Sequence, residues 1–226
     1  MTTKTDKMKI KVCEDGPYTV SGGIPLVDQI LVPDAEGLSV RWHTGKEYPI
    51  QEEYDLCRCG HSKNKPFCDM THHEINFDGS ETASREPFKS QAEPKTIGPE
   101  LVLTDVVALC ALARFCDRVG GVWDNTRASD NPEAKKIVLQ EVGDCPAGRL
   151  VLHDKAGNVI EPQFEPSIGL VLDPVVAELG PLWVRGGIPV EAADGYVYEI
   201  RNRVTLCRCG KSTNKPFCDG RHTDGK

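Results

Sequence analysis

Residues 56–69 read LCRCGHSKNKPFCD, and residues 206–219 read LCRCGKSTNKPFCD. Twelve of these fourteen positions are identical, at an offset of 150. A second pair lies upstream: GPYTVSGGIPL at 16–26 and GPLWVRGGIPV at 180–190, at an offset of 164. The order is the same in both halves, so the chain is built on a duplicated unit. The first unit carries 14 extra residues between its two parts. Extended to a histidine, each copy reads C-x-C-x2-S-x3-P-x-C-D-x2-H. The first copy supplies Cys57, Cys59, Ser62, Pro66, Cys68, Asp69 and His72; the second supplies Cys207, Cys209, Ser212, Pro216, Cys218, Asp219 and His222.

Three thiolates and one imidazole are four ligands per copy. They suit either a tetrahedral zinc or a two-iron cluster in which each iron takes two protein ligands. Cys57 and Cys59 are one residue apart and can converge on one metal in an extended turn. Cys68 and His72 are four apart and stack on one face if Asp69 opens a helical turn. Structural zinc sites more often begin with C-x2–4-C knuckles. The C-x-C start therefore favours iron–sulfur without settling the choice.

The rest of the chain bounds the function. It has 226 residues, enough for one large domain or two small lobes. Apolar residues at 39% and charged residues at 27% suit a soluble globular protein with its own core. The net charge of −7 argues against nucleic-acid binding and against a polybasic membrane anchor. No apolar run approaches the roughly eighteen residues of a membrane span. The opening MTTKTDKMKIKV has neither the apolar run of a secretory signal nor the Arg-rich character of a transit peptide, so a cytoplasmic location is expected. Ten cysteines, six of them in two tight clusters, point to metal rather than disulfides in that compartment.

Short strands are expected at Tyr18–Val20, Leu38–Trp42, Leu182–Val184, Val197–Ile200 and Arg203–Leu206, with more at 149–152 and 168–172. Residues 78–100, rich in Glu, Ser, Pro and Lys, read as a linker. Residues 104–118 (TDVVALCALARFCDR) are expected as a helix with Thr104 as its cap, and 131–141 as another with Asn131 capping and Pro132 at its first position. The fold class is α+β, mostly short β-strands and loops. Residues 1–80 and 164–226 form the two repeat units, and 81–163 form a linker and partly helical middle segment.

The cysteine segments resemble the CDGSH iron–sulfur domain family (mitoNEET-like), whose pattern is C-x-C-x2-[ST]-x3-P-x-C-D-G-[SAT]-H. The second copy departs from it only at Arg221, and the first has Met70 where the pattern has Gly. The layout resembles bacterial-type proteins with two CDGSH motifs in one chain. The resemblance implies two 2Fe–2S clusters, one held by Cys57, Cys59, Cys68 and His72 and the other by Cys207, Cys209, Cys218 and His222. It also implies tandem units, each a small β-sandwich cap with a cluster-binding region, that pair as an intramolecular pseudo-dimer within a monomer.

Around the ligands, Asp69 and Asp219 are expected to cap the following turn. Ser62 and Ser212 donate to cluster sulfur or shape the turn, and Pro66 and Pro216 rigidify the loop. A 2Fe–2S core with three thiolates carries a formal charge of about −1, falling to about −2 on reduction. Residues 201–226 carry seven basic and two acidic side chains, and 57–72 carry three and one. That local positive charge favours the reduced state and steers an acidic partner, or else is an ordinary solvated face.

Cys13, Cys110, Cys116 and Cys145 lie outside the motifs and are expected as buried structural thiols. Cys145-Pro146 resembles the Cys-Pro ending of ferredoxin ligand runs, so Cys110, Cys116 and Cys145 are candidates for another centre. On the expected helix, however, Cys110 and Cys116 sit about 240° apart. Gly22-Gly23 and Gly186-Gly187 lack the patterns of nucleotide loops.

The chain is therefore expected to be a non-enzymatic iron–sulfur protein for electron transfer, cluster transfer or redox sensing. Its partner would be a redox protein or an apo-protein cluster acceptor, with no nucleic acid and no membrane. The alternatives are a zinc-binding interaction module and a redox enzyme using the middle segment.

Overall fold

The structure, a computed structural model, describes residues 7–93, 95–176 and 178–224. Residues 1–6 of the opening stretch and Lys226 of the basic tail lie outside the described residues. The first repeat unit contains β1 (Lys9–Val12), β2 (Tyr18–Ser21), β3 (Leu26–Pro33), β4 (Ser39–Glu47), β5 (Glu53–Leu56) and the short α1 (Thr71–Glu74). The middle follows with α2 (Phe88–Gln91), β6 (Lys95–Ile97), β7 (Leu101–Asp105), α3 (Val122–Arg127), α4 (Pro132–Asp144), β8 (Leu150–Asp154) and β9 (Val159–Ile160). The second unit contains β10 (Ser167–Asp173), β11 (Glu178–Arg185), β12 (Val190–Glu191) and β13 (Arg203–Leu206).

Three sheets result, with strand orders β12-β1-β2-β5, β13-β11-β10-β3-β4 and β6-β7-β8-β9. The first two exchange strands. In parallel register, β1 pairs with β12, Ile10 opposite Val190, and β10 pairs with β3, Ile168 opposite Leu26. Leu26 and Val190 hold the same place in the two Gly-Gly-Ile-Pro segments. The entry hydrogen bonds match too: Ile10 N–H donates to the Pro189 carbonyl and Ile168 N–H to the Pro25 carbonyl, both at 2.9 Å. Each half thus lends the strand after its Gly-Gly turn to the other half's sheet.

Alternating side chains from both sheets fill one core. Ile10, Val12, Tyr18, Val20, Ile24 and Leu56 of the first half are fully buried with Ile168, Leu182 and Leu206 of the second. Each such aliphatic side chain stabilises the fold by about 1.5–3 kcal/mol, so neither half would keep this core alone. The extra residues of the first unit lengthen β3 and β4 into a ribbon, where the second unit has only the two-residue β12.

In the middle, α3 and α4 cover the third sheet over Leu101, Leu103, Val122, Val138, Val142, Leu150 and Leu152. The α4 start is as expected: Asn131 Oδ1 accepts from the N–H groups of Glu133 and Ala134, and Pro132 opens the helix.

Three expectations need correction. Residues 104–118 are not a helix. Thr104 and Asp105 belong to β7, two 3-10 turns follow at Val107–Leu109 and Phe115–Asp117, and between them Leu112 and Arg114 are left-handed, with φ of 52° and 60°. Tertiary contacts override the helical pattern. Leu101 and Leu103 are buried beneath the helices in strand alternation, and Arg114 is drawn out to a bidentate pair with Asp173, 2.8 Å in each arm, and to the Gly37 carbonyl. Val197–Ile200 makes only an isolated bridge from Val197 to Glu191, because Val197 and Ile200 face solvent. The expected linker at 78–100 carries α2 and β6.

Candidate metal centres

Each motif begins where an edge strand ends. After β5, Cys57 N–H donates to the Pro66 carbonyl and Cys68 N–H to the Asp55 carbonyl, so the loop folds back on its own strand. After β13, Cys207 N–H donates to Pro216 and Cys218 N–H to Thr205. Lys65-Pro66 and Lys215-Pro216 are both cis. Ser62 Oγ donates to the Phe67 carbonyl at 2.7 Å and accepts the Asn64 N–H at 3.0 Å; Ser212 makes the same two bonds with Phe217 and Asn214. Of the two expected serine roles, these bonds serve the turn.

The donors come together in pairs. Cys57 Sγ lies 3.8 Å from Cys59 Sγ, and Cys68 Sγ lies 3.4 Å from His72 Nδ1. The second copy gives 3.7 Å for Cys207 and Cys209 and 3.6 Å for Cys218 and His222. Among the described residues, no three histidine, cysteine or carboxylate side chains gather on a single metal position. Backbone N–H groups point at the sulfurs: Met70 to Cys68 and Gly220 to Cys218, both at 3.4 Å. Both histidines are only 5% exposed.

Asp69 Oδ2 accepts the Lys63 N–H and Oδ1 the Thr71 N–H, and Asp219 ties Thr213 and Arg221 in the same way. Hydrogen bonds from Thr71 and Lys63 hold the Asp69 carboxyl well below its usual range. The cap position itself belongs to left-handed Met70 and Gly220, so the aspartates clamp the loop from one residue earlier.

Burial pushes the Cys59, Cys68 and Cys218 thiols up and the His72 imidazole down. In the Cys207–Cys209 pair, the shared hydrogen bond holds Cys207 down and raises Cys209.

The arginines inside the C-x-C segments are buried struts. Arg58 donates to the carbonyls of Gly16, Gly79 and Cys13, and Arg208 to those of Gly180 and Val171. Arg58, Arg203 and Arg208 are all buried, so they form no solvated basic face. Sequence reasoning missed this role. Its signal was the same Arg in both C-x-C segments and Gly16 matched to Gly180.

The two loops also touch one another. A Cβ on Gly60 would stand 2.6 Å from the Cys209 carbonyl oxygen, and one on Gly210 2.6 Å from that of Cys59. Tyr18 of the first half donates to the Cys207 carbonyl at 2.7 Å.

Residues 15–73 and 179–223 match the family of the iron-binding zinc finger, CDGSH type. This is a CDGSH-family protein. It carries two CDGSH motifs, and between them residues 97–155 match a second family, the divergent 4Fe-4S mono-cluster. No curated protein and no solved structure matches the chain. CDGSH and 4Fe-4S domains are non-catalytic modules for electron transfer and cluster binding, and the protein is non-enzymatic on that ground. No helix among the described residues is long and apolar enough to cross a membrane.

Proposed function

We propose that each CDGSH motif holds one 2Fe–2S cluster and that the protein passes single electrons to or from a protein partner. Cys57 and Cys59 would bind one iron and Cys68 and His72 the other, with Cys207, Cys209, Cys218 and His222 doing the same in the second motif. The spacing of the donor pairs carries this reading. Two thiolates at about 2.3 Å from a tetrahedral metal stand about 3.8 Å apart, and a thiolate and an imidazole nitrogen about 3.6 Å apart. Those are the separations of the two pairs in each motif. A single zinc would ask for all four donors around one point, whereas two pairs fit two irons.

The cluster supplies one-electron redox chemistry, and the chain's own residues set its conditions. The N–H groups of Met70 and Gly220 stabilise thiolate charge on Cys68 and Cys218. With His72 and His222 each only 5% exposed, acid and water reach the imidazoles slowly, which favours electron transfer over cluster donation.

The reciprocal strand exchange and the Gly60–Cys209 and Gly210–Cys59 contacts support a pseudo-dimer inside a monomeric chain. Residues 1–80 and 164–226 are then its two units, flanking the segment 81–163. Free thiols at all ten cysteines suit a reducing cytoplasm.

The test is a visible spectrum with iron and acid-labile sulfide counted on anaerobically reconstituted protein. Cys57→Ser and Cys207→Ser are each expected to remove about two iron and two sulfide. Colourless protein holding zinc without sulfide would return the motifs to a structural role.

A further inference from the structure

The third sheet has two faces, and strand alternation gives them different surroundings. Leu101, Leu103, Leu150 and Leu152 belong to the face that α3 and α4 cover. The side chains between them, Val102, Thr104, Val151 and His153, belong to the other face, where Val102 pairs with His153, Thr104 with Val151 and His153 with Val159. Instead of a helix layer, this face meets a cavity of about 630 Å³, walled by Phe88 of α2 and by residues 199–202 before β13. The floor is mostly carbon. Thr104 Oγ1 donates to the Val151 carbonyl and accepts from His153 Nε2, both at 3.2 Å, so the polar atoms of the floor are bonded to one another. Beside it Ile97, Val159 and Ile200 are 71%, 57% and 57% exposed. Single exposed aliphatic side chains are ordinary; three around one cavity mark a binding surface.

The charges that line the cavity are unequally satisfied. Its carboxylates are engaged. Asp154 accepts the backbone N–H and the side-chain amide of Asn158, both at 2.8 Å. Glu199 accepts the Phe88 N–H, Glu161 lies 3.5 Å from Arg203, and both act on the charge of Arg201, which itself stacks on Phe88. The lysines are not balanced in this way. Lys155 Nζ donates to the Gly98 carbonyl at 2.6 Å, which leaves its charge uncompensated, and Lys95 reaches only Glu93, 3.5 Å away at the surface. Among the described residues, Lys89 Nζ has no hydrogen bond or ion pair. An apolar floor under lysines that lack counter-charge is complementary to a molecule with an apolar body and one negative end.

We propose that this cavity binds a small amphipathic carboxylate, its apolar body on Val102, Val151 and Val159 and its carboxylate at Lys89 and Lys155. The volume lies within the roughly 300–1,000 Å³ of small-molecule sites. From β7 to β9 is two strand spacings, about 9–10 Å, which suits a medium-length acyl chain or a two-ring body. Nothing in this site depends on what the CDGSH motifs hold.

The experiment titrates the full chain by isothermal calorimetry with sodium decanoate, decyltrimethylammonium and acetate, each below its micelle concentration. Decanoate should bind, decyltrimethylammonium at least about tenfold more weakly, and acetate not at all. Lys89→Glu and Lys155→Glu, both at exposed positions, should each weaken decanoate about tenfold and leave the urea midpoint little changed. Val102→Trp should abolish binding by filling the floor; where that variant fails to fold, the two lysine variants decide alone. No decanoate binding to wild type, or equal binding of the two decyl probes, overturns the site. Decanoate held by the lysine variants as tightly as by wild type places it elsewhere on the chain and overturns the site as well.

Discussion

The two CDGSH motifs share twelve of fourteen residues and the same donor separations, yet they sit in different surroundings. In the first, the residue after Asp69 is Met70, left-handed at φ 70° with its side chain in solvent. In the second it is Gly220 at φ 87°, pressed against Leu112 and the Cys110 carbonyl. Conformation alone does not demand glycine there, because Met70 adopts nearly the same φ. The close approach of the middle segment does. The difference teaches that one motif has been built into a larger domain while the other keeps an open face.

The sharpest test addresses what the motifs share. Gly60 and Gly210 face each other's cysteine carbonyls, and both have left-handed φ. An alanine at either meets rigid backbone and adds left-handed strain of about 1–2 kcal/mol. With the overpacking cost, Gly60→Ala and Gly210→Ala should each lose about 3–5 kcal/mol in urea unfolding, by like amounts. A loss confined to one variant would break the pseudo-twofold relation between the loops.

The next test exchanges the difference itself. Gly220→Met forces a side chain into Leu112 and should cost about 2–4 kcal/mol. Met70→Gly removes only an exposed side chain and should stay within about 1 kcal/mol. Equal costs, measured by the same unfolding, would mean that the middle segment does not press on the second motif.

These contrasts were partly legible in the residues. The repeat, the donor set and the capped helix α4 are local patterns, and local patterns survive folding. The strand exchange has no such signature. Pairing Ile10 with Val190, or Ile168 with Leu26, joins positions more than 140 apart, and nothing in either strand names its neighbour. The segment 104–118 misleads for a related reason. Its apolar spacing is helical, but Leu112 and Arg114 take left-handed turns held by Asp173, which lies in another sheet. The helical reading also set Cys110 and Cys116 on different faces, whereas in the loop both line one small pocket with Cys145.

The histidines sharpen the comparison through redox chemistry. Both are equally buried and bring Nδ1 to the same distance range from their cysteine. Replacing neutral imidazole by thiolate adds negative charge to the centre, so His72→Cys and His222→Cys should each lower that site's potential by on the order of 100 mV. Each should also slow acid loss of its cluster, since a protonatable ligand is gone. Spectroelectrochemical titration and decay of visible absorbance at pH 5 check both. Unchanged potentials and decay rates in both variants would remove histidine from the ligand set.

The smallest effect separates the motifs by pH. Glu141 of α4 is fully buried in the middle segment, its Oε1 without a partner and its Oε2 accepting from Asn125 at 3.3 Å. Burial raises its carboxyl from the ordinary 4.5 to about 7. The folded state therefore holds this proton more tightly than the unfolded chain. The resulting stability is complete below pH 4.5 and is lost as pH rises through about 7. Because Val138 and Val142 of α4 share a core with Cys218, loosening the middle should reach the second motif before the first. Between pH 5.5 and 8.5 the urea midpoint should fall in wild type and less in Glu141→Gln, which carries no such proton. Cluster loss at alkaline pH should begin at the second motif, followed in Cys57→Ser and Cys207→Ser, each of which reports the other motif. A wild-type midpoint that does not fall across that range would detach Glu141 from the energetics of the fold. Equal alkaline loss from both motifs would show that the shared core does not carry the middle segment's loosening to Cys218.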